Sequence, residues 1–308
     1  MAFLPTPPSA SKPGSFPPET TPAIPIAPPP WILRAKAWIF LYTDIDNHNP
    51  PPQNPNNAED ILQSILAPGA YHPFETIHPS ALQRLPNGEP QFQPSWLKGV
   101  MIVRYDDSDV GPYDELIFIP GRAVNPHSGK KDMRISTIYV STDSSVWNGR
   151  RNWNIPKHRA RFEFTPTSSG KDTALRVYHP EDIPAPFNPK TPFFSAFLKE
   201  SWLPKLPLPS LAPFSLVQPP LSKSRYPPGV QDATIATDDP ENGRENPWLL
   251  CRPSFKGSWG LAYADTLPDG EVTLQQHGDG IGFPEVKLWS VGTAFDGIVG
   301  FGVSDIAS

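Results

Sequence analysis

The chain has 308 residues, of which 38% are hydrophobic and 11% aromatic, enough for the core of one large domain or two modest ones. Its net charge of −5 at pH 7, with acidic and basic residues interspersed, argues against a nucleic-acid-binding surface and a polybasic membrane anchor. The single cysteine, Cys251, excludes an intrachain disulfide and a thiolate zinc site, and it favours a reducing, cytoplasmic location.

Proline departs most from ordinary composition, with 44 copies in the chain against an average of roughly 5%. Because proline avoids helices and central strands, much of the chain should run as loops and extended segments. Residues 1–30 are rich in proline, serine and threonine, and they predict a flexible N-terminal arm ahead of a single domain at 31–308. The opening MAFLPTPPSASKPGS lacks the apolar core of a signal peptide, and we expect no membrane span.

The domain should be built mainly from strands, which begin with WILRAKAWIFLY at Trp31 and are followed by a short helix, AEDILQSILA. From Lys98 onward, apolar runs alternate with turn residues, and each run predicts a strand: GVMIVRY, DELIFIP, MRISTIYVST, ARFEFTPT, TALRVYH, WLLCRPSFKGSWGLAYAD, EVTLQQH and VKLWSVGTAF. An insertion rich in proline and aromatic residues at about 180–240 should lie on the body of the protein, since disordered linkers rarely contain so many aromatic rings. The fold class expected from this pattern is α+β, mainly β, with a curved antiparallel sheet or β-barrel and few short helices.

The segment VWNGRRNWNIPKHRARFEF, 146–164, surrounds one lysine amine with apolar and basic side chains. If 152–157 are extended, Trp153, Ile155 and Lys157 share a face, and the change of apolar parity after Lys157 predicts a bend or bulge there. Apolar surroundings and nearby positive charge both disfavour an ammonium group, and a neutral lysine amine is a nucleophile towards ketones. The alternative is that Lys157 is a solvated lysine in a basic turn.

The segment VGPYDELIFIPG, 110–121, predicts a strand with Tyr113, Glu115, Ile117 and Ile119 on one face. A carboxylate on an apolar face is suited to proton transfer, whereas an acid at the start of a strand can also remain in water. The histidines show no paired ligand spacing and no calcium-binding loop is complete, so we expect no metal and no cofactor.

The run NGRRNWNIPKH resembles the Gly-Arg-Glu-…-Pro-Lys-Lys signature of the acetoacetate decarboxylase superfamily, in which the first lysine after the proline forms a Schiff base. The spacing is preserved from Gly149 and Arg150 to Pro156 and Lys157. Two further segments occur in the family's order. SDVGPYDELIFIP resembles the segment with the family's active-site glutamate, which corresponds to Glu115, and LLCRPSF resembles a Cys-Arg-Pro-aromatic strand.

The resemblance implies a β-barrel-centred fold with an internal pocket, in which Lys157 attacks a carbonyl compound. Glu115 would transfer protons, and Arg34, which corresponds to the family's arginine near the first strand, would hold a carboxylate. The substrate-binding residues predicted beside them are Trp153, Ile155, Arg150, Tyr113 and His158. Two positions depart from the signature, because Arg151 replaces its glutamate and His158 replaces its second lysine. The length and the proline content resemble those of fungal members of the superfamily.

The predicted function is a lyase-type enzyme of secondary metabolism that acts on a β-keto acid or related carbonyl compound through a Lys157 imine. One alternative is a cyclase or isomerase of a polyketide or terpenoid intermediate that uses the same pocket without a Schiff base. Another is a non-enzymatic ligand-binding protein whose proline segments dock partners. The many aromatic residues predict a substrate larger than acetoacetate, and the sequence leaves a homo-oligomer open.

Overall fold

The architecture is taken from a computed structural model that describes residues 24–44, 66–75, 77–88, 90–126, 128–167, 172–185, 187–208, 215–221, 247–269, 272–273 and 276–307. Within them lie one α-helix, α1 (Asp143–Trp153), one 3-10 turn (Pro79–Leu82) and eighteen strands. The strands are β1 (Trp31–Asp44), β2 (Phe92–Asp107), β3 (Tyr113–Val124), β4 (Lys131–Arg134), β5 (Thr137–Val140), β6 (Lys157–Arg159), β7 (Arg161–Pro166), β8 (Asp172–Tyr178), β9 (Pro192–Glu200), β10 (Leu206–Leu208), β11 (Leu216–Gln218), β12 (Leu249–Cys251), β13 (Ser254–Asp265), β14 (Pro268–Asp269), β15 (Val272–Thr273), β16 (Val286–Leu288), β17 (Val291–Phe301) and β18 (Asp305–Ile306).

One large mixed sheet contains most of these strands, in the order β18-β12-β11-β4-β3-β2-β1-β17-β13-β9-β8-β7. Strand β5 pairs with β3 and β6, β10 with β13, and β16 with β1, while β14 and β15 form a separate pair. The pairing is antiparallel except between β4 and β11 and between β5 and β6. The mainly β class is therefore confirmed. The sheet does not close into a barrel over the described strands, because its path ends at β18 and β7, and the expectation of a barrel is corrected.

Both faces of the central strands are covered by apolar cores. In the first half of β1, Trp31 and Leu33 belong to one core, whereas Phe40 and Tyr42 in the second half belong to the core on the other face. Strands β2 and β3 contribute side chains to both cores. A strand buried on both faces has no side that faces water, so its residues need not alternate between apolar and polar. This explains why DELIFIP is an almost continuous apolar run.

Each predicted strand segment overlaps at least one strand of the structure. Three of them, MRISTIYVST, WLLCRPSFKGSWGLAYAD and VKLWSVGTAF, are divided between two strands at Ile135–Ser136, Arg252–Pro253 and Trp289–Ser290. The predicted helix AEDILQSILA lies almost entirely outside the described residues, which resume at Leu66.

The helix α1 replaces the extended segment that the sequence predicts from Asn152. Thr142 caps its N-terminus by accepting a hydrogen bond from the Ser145 N–H at 3.4 Å, and Asp143 lies in its first turn. Its last turn contains Arg150 and Arg151, which favour the negative end of the helix dipole. These local signals outweigh the apolar alternation that favoured a strand. No helix within the described ranges is long and apolar enough to cross a membrane.

The proline-rich segment before β1 packs against α1. The Ala27 N–H donates to Asn148 Oδ1 at 2.8 Å, and Asn148 Nδ2 donates to the Pro25 carbonyl at 3.1 Å. Asn152 Nδ2 donates to the Ala27 carbonyl at 2.8 Å. Packing therefore begins by Pro25, ahead of the boundary at residue 30, and residues 1–23 of the predicted arm lie outside the described part of the chain.

The segment predicted as an insertion contributes three strands to the large sheet, β9, β10 and β11. Strand β9 lies between β8 and β13, and Phe193 and Phe194 are buried in the core. The aromatic residues thus indicate packing, as expected, although Trp202 just beyond the strand is 86% exposed. Residues 209–214 and 222–246 of the segment are outside the described ranges.

Strands β13 and β17 approach each other closely where Gly257 pairs with Gly297. A methyl group on Gly297 would lie 2.6 Å from the Gly257 Cα and still closer to the Lys256 carbonyl oxygen. We predict that Gly297→Ala lowers the free energy of unfolding by about 1–3 kcal/mol, because backbone atoms must move apart. Urea denaturation measures the change. Gly302→Ala is the matched control, since nothing lies within 4 Å of its added methyl group, and equal stabilities of the two variants would contradict the prediction.

Candidate active site

The turn between α1 and β6 places Lys157 at the start of a strand. After Trp153 the chain reverses at Asn154, which has a φ of 51° and donates its backbone N–H to the Arg150 carbonyl at 3.1 Å. Asparagine adopts this left-handed conformation more readily than most residues. Pro156 favours an extended chain before it, and β6 then pairs in parallel with β5 from Lys157 onward.

The stem of Lys157 lies directly against α1 at Gly149. A methyl group on Gly149 would lie 2.6 Å from Lys157 Cδ and 2.7 Å from Cε, well inside van der Waals contact. Glycine inside a helix costs roughly 1 kcal/mol relative to alanine, so its presence here needs a reason. The reason is the space that the lysine side chain occupies.

The Lys157 amine is buried and has two polar partners. Its Nζ donates to Glu115 Oε2 at 2.8 Å and to Ser145 Oγ at 3.1 Å, and it lies 5.3 Å from the centre of the Tyr113 ring. Lys157 is 4% exposed and Glu115 is 3% exposed. The amine and the carboxylate can therefore exchange a proton directly, away from bulk water.

Two tyrosines complete the polar end of the site. Tyr105 Oη donates to Glu115 Oε1 at 3.5 Å, and the Tyr113 hydroxyl interacts with Ser145 and Glu115. Burial, and after it the negative charge of Glu115, raises the pKa of Tyr105 and of Tyr113 well above 10. Both phenols consequently keep their protons at neutral pH and act as hydrogen-bond donors.

A mostly apolar cavity opens beside this polar cluster. Tyr113, Glu115, Ile117 and Ile119 line it from one face of β3, as predicted. Its other walls are formed by Trp31, Leu33, Ala37, Met101, Val103, Tyr105, Ile135, Ile138, Trp153, Ile155, Lys157, Leu216, Pro253, Phe255, Val299 and Phe301. The volume open to the centre of a water-sized molecule is about 30 Å³, and one water needs roughly 10–15 Å³ on this measure. The space fits the reacting end of a small molecule.

A second buried carboxylate, Glu75, binds two of the predicted substrate-binding residues. Arg150 Nη1 and Nη2 donate to its two oxygens at 2.7 and 3.1 Å, and His158 Nε2 lies 2.7 Å from Oε2. Burial by itself raises the pKa of Glu75, but Arg150 and His158 bring it down to about 2. Successive side chains of β6 point to opposite faces, so His158 faces away from the Lys157 cavity. Neither Arg150 nor His158 lines that cavity, and their predicted contact with substrate is corrected.

The other basic residues of the run also contact carboxylates or aromatic rings. Arg159 donates to Asp143 at 3.0 Å and to Asp182 at 3.2 Å, and Arg161 pairs with Glu163. The Arg151 guanidinium lies over the Trp147 ring at 5.3 Å. The prediction that these positive charges crowd the Lys157 amine is wrong, because long side chains carry them to partners elsewhere.

Arg34 lies outside the site. It is exposed on β1, while its neighbours Leu33 and Ala35 are buried and Leu33 lines the cavity. Because side chains alternate along a strand, an arginine between two inward-facing residues must point outward. The predicted grip of Arg34 on a substrate carboxylate is therefore wrong.

Three buried histidines lie behind the site, around Glu75. The His72 ring stacks on His158 with centres 3.9 Å apart, and His179 contacts His72 edge-on at 6.1 Å. Burial lowers the pKa of all three below 6.5, to about 4 for His179. Among the side chains that the structure describes, no group of three or more histidine, cysteine, aspartate or glutamate residues is arranged to hold a metal ion.

Four features of the site were not predicted from the sequence: Ser145, Tyr105, Glu75 and the contact of Gly149 with the lysine. Tyr105 could have been found, because it continues the buried alternation of Met101 and Val103 in GVMIVRY. Glu75 lies in the irregular stretch YHPFETIH, which has no periodicity from which its orientation follows.

Comparison with known proteins gives the following matches. No protein-family model matches the sequence. The rice (Oryza sativa subsp. japonica) Protein NEOXANTHIN-DEFICIENT 1 is 30% identical over 79 residues, which are 26% of this chain and 26% of that protein. The match thus spans about a quarter of the curated relative's length.

Similar solved structures include acetoacetate decarboxylase from Legionella pneumophila, with 12% identity, a TM-score of 0.45 and coverage of 97% of this chain and 98% of that one. An acetoacetate decarboxylase-like enzyme from Sphingomonas wittichii RW1 has 10% identity, a TM-score of 0.47 and coverage of 96% and 98%. The enduracididine biosynthesis enzyme MppR, complexed with pyruvate, has 12% identity, a TM-score of 0.45 and coverage of 94% and 95%. At these identities the likeness concerns the fold alone.

Removing one member of the buried Lys157–Glu115 pair should leave an uncompensated charge. We predict that Lys157→Met lowers the free energy of unfolding by about 3–5 kcal/mol, and that adding Glu115→Gln restores a large part of the loss. Urea denaturation of the single and double variants measures both. Arg104→Met, which breaks an exposed pair with Asp114, should cost less than about 1 kcal/mol. A double variant no more stable than Lys157→Met would contradict the assignment of a buried ion pair.

The buried neutral histidines predict a loss of stability in mild acid. The pKa of His179 is about 4 in the folded protein and lies near 6.5 when the residue is exposed, so between these values the unfolded chain binds a proton that the folded chain does not. The contribution of the neutral His179 to the free energy of unfolding is fully present above pH 6.5, and it should be lost as the pH decreases towards 4. His179→Phe keeps an aromatic ring without a titrating group, and its curve should fall less steeply. Urea denaturation from pH 7.5 to 4 tests this, and identical slopes for the two proteins would refute it.

Proposed function

We propose that this protein is an enzyme that forms an imine between Lys157 and a carbonyl compound. The observation that carries the proposal is a buried lysine amine at the polar end of an apolar cavity, 2.8 Å from a buried carboxylate. Imine formation needs an amine without its extra proton and a group that accepts and returns protons. Glu115 is in hydrogen-bonding distance to do both.

The proposed steps balance as follows. Glu115 takes a proton from the Lys157 ammonium, and the nitrogen lone pair attacks the carbonyl carbon while the carbonyl π electrons become an alkoxide, which takes that proton from Glu115. Glu115 then removes a proton from the attached nitrogen, which leaves a neutral carbinolamine with a nitrogen lone pair. The hydroxyl group leaves as water with the proton that Glu115 returns, while the nitrogen lone pair forms the C=N bond. The iminium cation then lies beside the Glu115 carboxylate, which stabilises its positive charge.

With a β-keto acid the iminium allows loss of carbon dioxide. The bond between the α-carbon and the carboxylate breaks, and its electron pair forms an enamine with the neutralised nitrogen. The enamine carbon then takes a proton, and water hydrolyses the imine to release a ketone and Lys157. This is the lyase reaction that the sequence predicts.

The charges of the cavity restrict the substrate. Lys157 is the only lysine or arginine among the lining residues in the described part of the chain, because Arg34 points away. A carboxylate would therefore lie among apolar side chains and near Glu115, an environment that favours its loss as neutral carbon dioxide. The cavity volume of about 30 Å³ favours a small reacting end rather than the large substrate that the aromatic content predicts.

A second candidate is the cyclase or isomerase that works without an imine. It is favoured by the pairing of an apolar wall with three donors at one end, the Lys157 ammonium and the hydroxyls of Tyr105 and Tyr113. Such donors could protonate or orient an apolar polyketide or terpenoid.

Chemical trapping tests the imine. The protein is incubated with acetoacetate, pyruvate or a longer methyl ketone, then reduced with cyanoborohydride, and its peptides are analysed by mass spectrometry. We expect the mass of the reduced adduct on the peptide that contains Lys157. Gly149→Ala should slow trapping by about 10²-fold, because the added methyl group displaces the lysine stem.

Gly302→Ala is the control for Gly149→Ala and should be trapped at the wild-type rate. A Lys157→Arg variant should give no adduct at that peptide. Two results together would rule out the imine: adducts confined to other lysines, and a Lys157→Ala variant that converts the substrate at the wild-type rate. The cyclase or isomerase would then be the remaining candidate.

A further inference from the structure

We infer that a second cavity, behind the strand that contains Lys157, binds a small monovalent anion of the size of chloride. This cavity is separate from the apolar one and lies against the turn between α1 and β6. Its walls include the side chains of Tyr71, Glu75, Arg134, Asn154 and Gln218. Ile135 lies in the walls of both cavities. The inference is independent of the imine chemistry.

Arg134 supplies the positive charge of the site. It is 1% exposed, and the side-chain hydrogen bond that it makes within the described residues runs from Nη2 to the Tyr71 hydroxyl oxygen. Its Nε and Nη1 are buried without an acceptor. The guanidinium also lies over the rings of Tyr71 and Phe92, at 5.7 and 5.8 Å. Over the ranges that the structure describes, rings and a hydroxyl leave the cation without a full negative countercharge.

An arginine cannot relieve this burial by losing its proton. Burial of an uncompensated charge costs several kcal/mol, and buried polar groups without partners commonly mark the place of an ion or an ordered water. The acceptor that best satisfies a guanidinium with two unused N–H groups is an anion, because charge-assisted hydrogen bonds are the strong ones.

Glu75 is the acid in the same wall, but its charge is already used. Both of its oxygens bind Arg150, and one of them also binds His158. No ion pair joins Glu75 to Arg134 in the described part of the chain. Burial keeps the pKa of His158 below 6.5, so the histidine is neutral at pH 7. Glu75 and Arg150 cancel, and Arg134 remains as one positive charge, which one monovalent anion balances.

The size of the cavity selects the anion. Its volume open to the centre of a water-sized molecule is about 10 Å³, the space of roughly one water. A halide ion fits such a space. Sulfate, phosphate and gluconate exceed it, and two of the three would also add a second negative charge next to Glu75.

The experiment measures thermal unfolding of the full chain at constant ionic strength, with sodium gluconate replaced stepwise by sodium chloride at pH 7.5. We expect a saturable rise in Tm of about 2–4 °C, because a ligand that binds the folded state alone raises its stability. Sodium sulfate should give no saturable rise. In Arg134→Met the chloride response should disappear, while stability in gluconate stays equal to that of the wild type or exceeds it, because the uncompensated charge is gone.

Arg252→Met is the matched control, since Arg252 is an exposed arginine paired with Asp305, and its chloride response should match the wild type. If Arg134→Met does not fold, chlorine-35 NMR of the wild type decides the question: we expect excess line broadening that bromide removes and sulfate does not. A flat Tm titration, no excess broadening, or an equal response in folded Arg134→Met would each overturn the inference.

Discussion

A lysine amine and a glutamate carboxylate that meet away from water set the constraints for the rest of this site. Either charge alone would be too costly to bury, and together they still need hydrogen bonds to their remaining donors and acceptors. Ser145 and Tyr105 supply these, at 3.1 Å from the amine and 3.5 Å from the carboxylate. The apolar wall lies beside the pair, and the cavity that it lines meets the amine and the carboxylate at one end.

Glu75 also shapes the distribution of charge around Lys157, although it lies on the other side of β6. Glu75 binds the Arg150 guanidinium and the neutral His158 ring, while the Lys157 amine faces a carboxylate of its own, Glu115. Within the described part of the chain, this arrangement leaves Arg134 without a countercharge in the second cavity. Glu75 lies in the wall of that same cavity, with its charge used by Arg150.

The prediction from sequence succeeded where a side chain's direction follows from strand alternation. In β3 the periodicity places Tyr113 and Glu115 on one face, and the structure shows them there with the cavity in front. It failed for the end of α1. The cap at Thr142 and the left-handed Asn154 favour a helix that ends at Trp153, whereas the apolar alternation over the same residues favours a strand. Trp153, Ile155 and Lys157 nevertheless line one cavity, since the turn after the helix brings them to the same side.

The sequence by itself predicted most of the long strands, the mainly β class, and Lys157 and Glu115 as candidate site residues, because these depend on local periodicity and on a spaced motif. Only the tertiary structure decided that the sheet stays open and that Arg34 points outward. It also decided that Arg150 and His158 serve Glu75 rather than the cavity. The physical reason is that a charged side chain goes to whichever partner the fold brings within about 3 Å, and residue 75 reaches residues 150 and 158 only when distant parts of the chain have packed together.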